Sequence, residues 1–243
     1  MSYYRSDLAF IHDDGFGHFA TGGAQLLLEE LIRSKISRGT ILDVGCGSGI
    51  TARLLADEGY SLIGIDQSEP LIEIARKRVP EATFHVGSYI DVELPSCVAV
   101  CAIGEVLNYG FDERNSGTAR SAFFEGAFHA LPDGGALLFD VAGPDRALDC
   151  PARTFSEGKG WTVLVETSVD AEVLTRRIVT FRRDGTLYRR DCEVHHLHLV
   201  SPDVIETELR SIGFRVEKLS KYGDIPFPRG LHGFFARKPA NAA

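Results

Sequence analysis

Leu42–Ile50 reads LDVGCGSGI, and this short run constrains the fold more than any other part of the chain. Gly45, Gly47 and Gly49 alternate directly after an apolar stretch that carries Asp43. Apolar residues ending in a glycine turn, followed by a helical pattern, read as a strand feeding a tight loop and then a helix. A glycine loop of this kind lets a ligand lie against bare backbone. The residues around it must say which ligand.

The flanking pattern alternates between strand-like and helical runs. Thr40–Val44, Ser61–Ile65, Ala82–Val86, Val98–Ile103 and Ala136–Val141 read as strands. Between them Thr51–Glu58, Pro70–Val79 and Thr118–Leu131 have helical composition, with Gly59 as a C-cap and Pro70 in a first turn. AQLLLEELIRS, Ala24–Ser34, is a helix preceding them. Such alternation predicts a parallel sheet with helices on both faces. After Pro144 the pattern changes. Trp161–Ser168, Glu172–Arg183 and Thr186–Val200 are β-rich without an intervening helix, and Asp184-Gly185 signals a two-residue hairpin turn. That turn would pair Phe181 with Tyr188 and Arg176 with Glu193, on antiparallel strands attached to the main sheet. Ser201-Pro202-Asp203 opens a helix to about Ile212, strands Phe214–Leu219 and Leu231–Arg237 follow, and PANAA reads as a frayed tail.

A dinucleotide loop is GxGxxG, but here the spacing is GxGxG and Ile50 stands at the third glycine's place. A phosphate loop of the GxxxxGK[ST] type lacks its lysine. Asp43 beside the glycines would repel a pyrophosphate and favour a ligand carrying positive charge. With Asp66 ending the next strand, SLIGID, and PDGG leading into the fifth, the chain resembles the class I S-adenosylmethionine-dependent methyltransferases from Thr40 to Val141. ILDVGCGSG matches that family's first motif throughout. The resemblance implies S-adenosylmethionine as cofactor, with Asp43, Gly45, Cys46, Gly47 and Gly49 at its methionine end. It implies that Asp66 accepts both ribose hydroxyls, that Gln67 lies beside the adenine, and that Ile103 and Gly104 meet the ammonium. The family's aspartate after strand three is replaced by Ser88, and Asp91 is a substitute from the same loop.

Composition closes other routes. A formal charge of −8 in 243 residues argues against nucleic acid as the main partner. No apolar run approaches the ~20 residues of a membrane span, and MSYYRSDLAF lacks the pattern of an export signal. Five cysteines, an odd number without CxxC spacing, read as reduced thiols of a cytoplasmic protein.

The resemblance does not name the methyl acceptor. GEVLNY, Gly104–Tyr109, stands where amino-group DNA and glutamine methyltransferases carry [DN]PP[YFW]. Asp140 and Asp145 in FDVAGPD read as capping or surface acids, and no metal site is expected. Glu105 is a candidate base or ammonium anchor, and Asn108 and Tyr109 candidate acceptor contacts; the alternative is that the two polar residues cap a turn and the tyrosine packs. FIHDDGFGHFATGG reads as a lid, with His12 and His18 as catalytic candidates and Tyr4, Phe10, Phe16 and Phe19 excluding water, hinged at Gly15 and Gly17. His196 and His198 share one strand face that would meet the substrate. The arginine-rich hairpin reads as solvated with cross-strand pairs, or as turning one arginine per pair inward to an acidic substrate.

The resulting expectation is one α/β domain, Rossmann-like and doubly wound. Its mostly parallel seven-stranded sheet has an antiparallel last strand and a small antiparallel β addition. Residues 1–38 form the lid and first helix, 39–145 the cofactor core, 155–200 the β addition and 201–238 the closing elements. The expected activity is methyl transfer to nitrogen or oxygen of a small molecule. The alternatives are an NAD-type oxidoreductase and a non-catalytic S-adenosylmethionine-binding protein.

Overall fold

Strands form where the apolar runs lie, and the loops between them carry the ligand-facing groups. The computed structural model describes residues 3–240. In chain order these are helices α1 (Ser6–Gly15) and α2 (His18–Arg33), then β1 (Thr40–Val44), α3 (Ile50–Asp57), β2 (Ser61–Asp66), α4 (Glu69–Arg78), β3 (Thr83–Val86), β4 (Ala99–Ala102), α5 (Gly117–Ala130) and β5 (Ala136–Ala142). Then come β6 (Ala152–Gly158), β7 (Trp161–Asp170), β8 (Val173–Asp184), β9 (Leu187–His198), α6 (Pro202–Ile212), β10 (Arg215–Leu219), the two-residue strands β11 (Lys221–Tyr222) and β12 (Ile225–Pro226), and β13 (Leu231–Arg237).

Seven strands make the main sheet in the order β10-β13-β5-β4-β1-β2-β3, parallel except for β13, which runs antiparallel to both neighbours. β4 and β5 are buried along their whole length, as expected of parallel strands covered on both faces. One layer packs Val100, Leu137 and Phe139 against Phe123 and Phe124 of α5. The opposite layer packs Ile41 and Leu138 against Leu27 of α2, Leu55 of α3 and Ile72 of α4. Local chemistry supports these helices. Ser68 caps α4 by accepting from the Leu71 amide at 3.2 Å, Pro70 occupies its first turn, and Arg76, Lys77 and Arg78 complement its last.

Three expectations need correction. The β-rich segment does not extend the main sheet; β6-β7-β8-β9 form a separate four-stranded antiparallel sheet, joined to the loop after β4 by a bridge between Tyr109 and Leu197. Its hairpin turns at Gly185-Thr186, with Asp184 paired to Leu187, so Phe181 faces Arg190 and Arg176 faces His195. Gly185 at φ +61 supplies the left-handed first position of the turn, which aspartate takes less readily. A two-residue slip leaves each side chain on its expected face. Finally, the lid is helical. α1 covers Ser6–Gly15, and α2 starts at His18 rather than Ala24, with Gly22 and Gly23 inside it letting the helix approach Tyr222 and Ile103 closely. Of the expected tail, residues 241–243 lie outside the described residues.

Candidate active site

The carboxyl ends of β1, β2 and β4 open into a cavity of about 410 Å³. α1, the start of α2 and the inward faces of β7 and β8 close it, so the cavity lies between the two sheets. This is where open α/β sheets bind ligands.

On the main-sheet side the wall is Val44, Gly45, Gly47, Ile65, Asp66 and Gln67, with Gly87, Tyr89, Ile103 and Gly104 beyond. The glycine loop turns because Gly45 and Gly47 hold φ of +66° and +52°. A side chain at Gly45 would come within 2.4 Å of Val106, whereas at Gly47 it would meet nothing within 4 Å. Gly45 is thus needed for packing, and Gly47 leaves bare backbone facing open space. The Gly47 amide donates to Asp66 Oδ2 at 3.0 Å and the Ser68 amide to Asp66 Oδ1 at 2.8 Å. Both carboxylate oxygens accept backbone bonds and keep lone-pair capacity toward the cavity, the pattern a vicinal diol requires. Burial raises the Asp66 pKa, opposed by those backbone donors.

Asp43 lies behind the loop with Oδ2 buried and unpartnered among the described residues, while Oδ1 faces the Cys101 thiol at 3.3 Å. Burial pushes its carboxyl up to about 7. Cys46, Gly49 and Ser88 stay out of the cavity wall. The Cys46 thiol is buried against Gly64, Gly49 packs the start of α3 so closely on α4 that an added Cβ would come within 3.1 Å of the Ala75 Cβ, and Ser88 accepts from the Ile90 amide to cap a short turn. Asp91 is exposed and pairs with Arg114, and it too stands outside the cavity wall. The first turn of α2, His18, Phe19 and Ala20, lines the same end. Its amides have no intrahelical acceptor, so this helix end favours a carboxylate.

The other half of the cavity belongs to α1, the loop after β4 and the second sheet. Glu105 sits at φ +60°, a conformation a non-glycine residue holds only under restraint. The restraint is Asp140, fully buried in β5, whose oxygens accept from the Gly104 amide at 2.9 Å, the Glu105 amide at 2.6 Å and the Tyr222 hydroxyl at 2.8 Å. Asp140 is therefore a structural keystone rather than a surface cap; an acid inside the apolar run LLFDVA was the available signal. Glu105 Oε2 pairs with Arg176 at 2.7 Å and Oε1 with Arg146. Burial alone would raise the Glu105 carboxyl, but Arg176 and then Arg146 outweigh it and hold it below its ordinary value. Arg176 is the arginine that turns inward, alternating with outward Arg177.

Tyr109 and Tyr4 also face the cavity, their hydroxyls 3.0 Å apart, with Leu8, Phe16, Phe111, Val163, Val165 and Ile178 as apolar wall. The alternation of Trp161, Val163 and Val165 was a legible period-two signal for that face. His12 lines the cavity with Nδ1 unpartnered, and burial pushes its pKa down to about 4.

The remaining candidates lie elsewhere. Asn108 is fully buried as a clamp, donating to the carbonyls of Ala142 (3.0 Å) and His198 (2.6 Å) and accepting from the Ala142 amide at 2.9 Å. His196 and His198 are on the exposed face of β9; strand parity turns His195 inward instead, where its Nε2 meets Glu193 at 2.9 Å. Phe10 packs under Arg182 rather than lining the cavity. Among the described residues no group of three His, Cys, Asp or Glu is arranged to hold a metal, and no helix is long and apolar enough to cross a membrane.

Comparison with known proteins gives the domain and its fold relatives. A model of the methyltransferase domain matches residues 41–135. An N,N-dimethyltransferase of Streptomyces venezuelae acting on dTDP-3-amino-3,4,6-trideoxy-alpha-D-glucopyranose is 29% identical over 206 residues, covering 79% of this chain and 82% of that protein. The magnesium-protoporphyrin O-methyltransferase of Rhodobacter capsulatus is 35% identical over 74 residues, but these span 28% of this chain and 33% of that protein. A solved S-adenosylmethionine-dependent methyltransferase from Clostridium acetobutylicum superposes with a TM-score of 0.80 at 15% identity, covering 96% of this chain and 98% of that one. Residues 41–135 carry a methyltransferase domain, and over most of its length the chain is similar to S-adenosylmethionine-dependent methyltransferases. The structural neighbours carry the fold, and neither an NAD-type oxidoreductase nor a non-catalytic binder finds support in these comparisons.

For a methyltransferase, the cavity's main-sheet half fits the cofactor on its own chemistry. Asp66 supplies a bidentate acceptor for a ribose, the open side of Gly47 accommodates a chain lying on the backbone, and the amides at the start of α2 suit the methionine carboxylate. The start of α2 escaped the sequence reading because its helical period was legible only from Ala24.

Proposed function

We propose that this chain transfers a methyl group from S-adenosylmethionine to a nitrogen or oxygen atom of a small molecule held between α1 and the second sheet. The observation that carries the reading is one continuous cavity, with the ribose-matching carboxylate of Asp66 at one end and α1, β7 and β8 closing the other. The amino-sugar N,N-dimethyltransferase, similar over four fifths of its length, supports a small-molecule acceptor. In the same reading Asp66 and Gln67 hold the nucleoside, the Gly45–Gly47 and Gly104 backbone and the start of α2 hold the methionine, and Asp43 biases the loop toward positive charge.

When bound, S-adenosylmethionine supplies an activated methyl group. The protein's task is alignment and exclusion of water, which can account for much of the rate. Leu8, Phe16, Val163 and Ile178 wall the acceptor side. His12, with its pKa near 4, is neutral at physiological pH and too weak a base to deprotonate an ammonium. Glu105 spends both oxygens on arginines and acts as an anchor. With neither of these acting as base, the reacting atom arrives unprotonated or gives its proton to His18, the remaining histidine of the cavity wall. The test is incubation with S-adenosylmethionine labelled in its methyl group and a panel of small amines, phenols and acids. Label in a small-molecule product is expected; label incorporated only into protein or nucleic acid contradicts the proposal.

A further inference from the structure

The acceptor half of the cavity has an unusual inventory: apart from the neutral imidazole of His12, its polar side chains offer donors and no uncompensated anion. Glu105 accepts from Arg146 and Arg176. Glu193 accepts from the Tyr4 and Arg5 amides, both at 2.8 Å. On α1, Asp7 binds Arg182 and Arg189, Asp13 binds Arg78, and Asp14 accepts from the Trp161 indole. Glu105 is the carboxylate that lines this half, and two guanidinium groups already balance its charge, whereas Asp7, Asp13, Asp14 and Glu193 stand outside the cavity wall.

Tyr4 and Tyr109 have two phenolic protons, and their mutual bond at 3.0 Å consumes one. Whichever ring donates in that bond, one phenolic proton is left over. Arg176 Nη1 lies 3.5 Å from the Tyr109 oxygen, adding a guanidinium donor beside the pair. Burial first, and the neighbouring phenol for Tyr4, keep both tyrosine pKa values raised, so the pair stays protonated. Tyr4 is also held in place at cost. Its φ is +47°, fixed by the Glu193 bonds on one side and by the Ser68 hydroxyl donating to its carbonyl at 2.9 Å on the other. Around these donors the wall is Leu8, Phe16, Val163, Val165 and Ile178.

We infer that Tyr4, Tyr109 and Arg176 form a donor subsite that anchors an oxyanion, carboxylate or phenolate, of an acceptor whose body is otherwise apolar. The inference rests on the proposed methyl transfer and narrows its substrate class: a purely cationic acceptor would find no free anion here, and a polyhydroxylated one would set most of its hydroxyls against the apolar wall. The anchor is distinct from the atom that takes the methyl group.

The test is calorimetric titration of the S-adenosylhomocysteine-saturated protein with benzoate, benzamide and benzylamine, three probes sharing one apolar body. Benzoate is expected to bind at least tenfold tighter than either counterpart. Tyr109→Phe and Tyr4→Phe, which keep the rings and the packing, should each weaken benzoate by about tenfold and leave S-adenosylhomocysteine affinity unchanged. Benzylamine binding as tightly as benzoate, benzoate indifferent to both variants, or no binding of benzoate at millimolar concentration would overturn the inference. Failure of S-adenosylhomocysteine to bind at all is a separate result, which removes the proposed function beneath it.

Discussion

Asp43 and Glu105 are both buried acids at the cavity edge, and their surroundings treat them in opposite ways. Asp43 has the Cys101 thiol as its hydrogen-bond partner, and burial lifts it to about 7. Between the unfolded carboxylate pKa of ~3.9 and about 7, the folded state holds a proton that the unfolded chain has released. Ionising Asp43 therefore costs stability as pH rises through that window. Asp43→Asn should gain stability relative to wild type as pH goes from 5 to 8, read from paired urea melts; a pH-independent difference would contradict the raised pKa. Glu105 is the reverse case, ionised and compensated by Arg146 and Arg176. Glu105→Ala leaves two largely buried guanidinium groups without their anion, and breaking such a pair costs about 3–5 kcal/mol. Urea denaturation is expected to find a loss of that order, with Glu105→Gln intermediate; a loss below ~1 kcal/mol would mean that solvent replaces the carboxylate.

At the scale of elements, α1 closes one side of the cavity through Leu8 and His12, which in the proposed reading makes it the gate. It touches the core through Arg78–Asp13 and the second sheet through Leu8 and Ile11 on Trp161, Val163 and Ile178. Trp161, the only tryptophan in the chain, donates to Asp14 at 2.7 Å and is 4% exposed, so its emission reports on this contact. Asp14→Ala should red-shift that emission, and saturating S-adenosylhomocysteine should slow amide exchange across Ser6–Gly15. Emission unchanged in the variant and exchange unchanged on binding would place α1 outside the gate. This helix was hard to read because Ile11 and Leu8 bury only a narrow stripe among Asp7, Asp13 and Asp14. The second sheet was legible as strands but not as a separate sheet. Its register depends on which two residues turn, and Asp184-Gly185 and Gly185-Thr186 are both plausible turn pairs; the strand faces were legible either way, because the two registers differ by two residues.

At the scale of the molecule, the sequence reading reached furthest where one chemical requirement governs many residues. Thr40–Val44 and Leu231–Arg237 have the bounds expected, and the strand order with its antiparallel β13 follows from the alternating pattern and the family resemblance. The cofactor side was readable because glycine and an acid at fixed spacing serve one ligand. The acceptor side was not, because Tyr4, Glu105, Arg176 and Glu193 meet only after α1 and the second sheet fold over the core. Distant sequence positions carry no local signal of that meeting. Asp66 links the two halves of the account, so it carries the decisive measurement: calorimetric titration of wild type and Asp66→Ala with S-adenosylhomocysteine, and of wild type with NAD. The account predicts one-site binding to wild type, a loss of at least a hundredfold in the variant, and no binding of NAD. Full affinity in Asp66→Ala, or binding of NAD in place of S-adenosylhomocysteine, would contradict it.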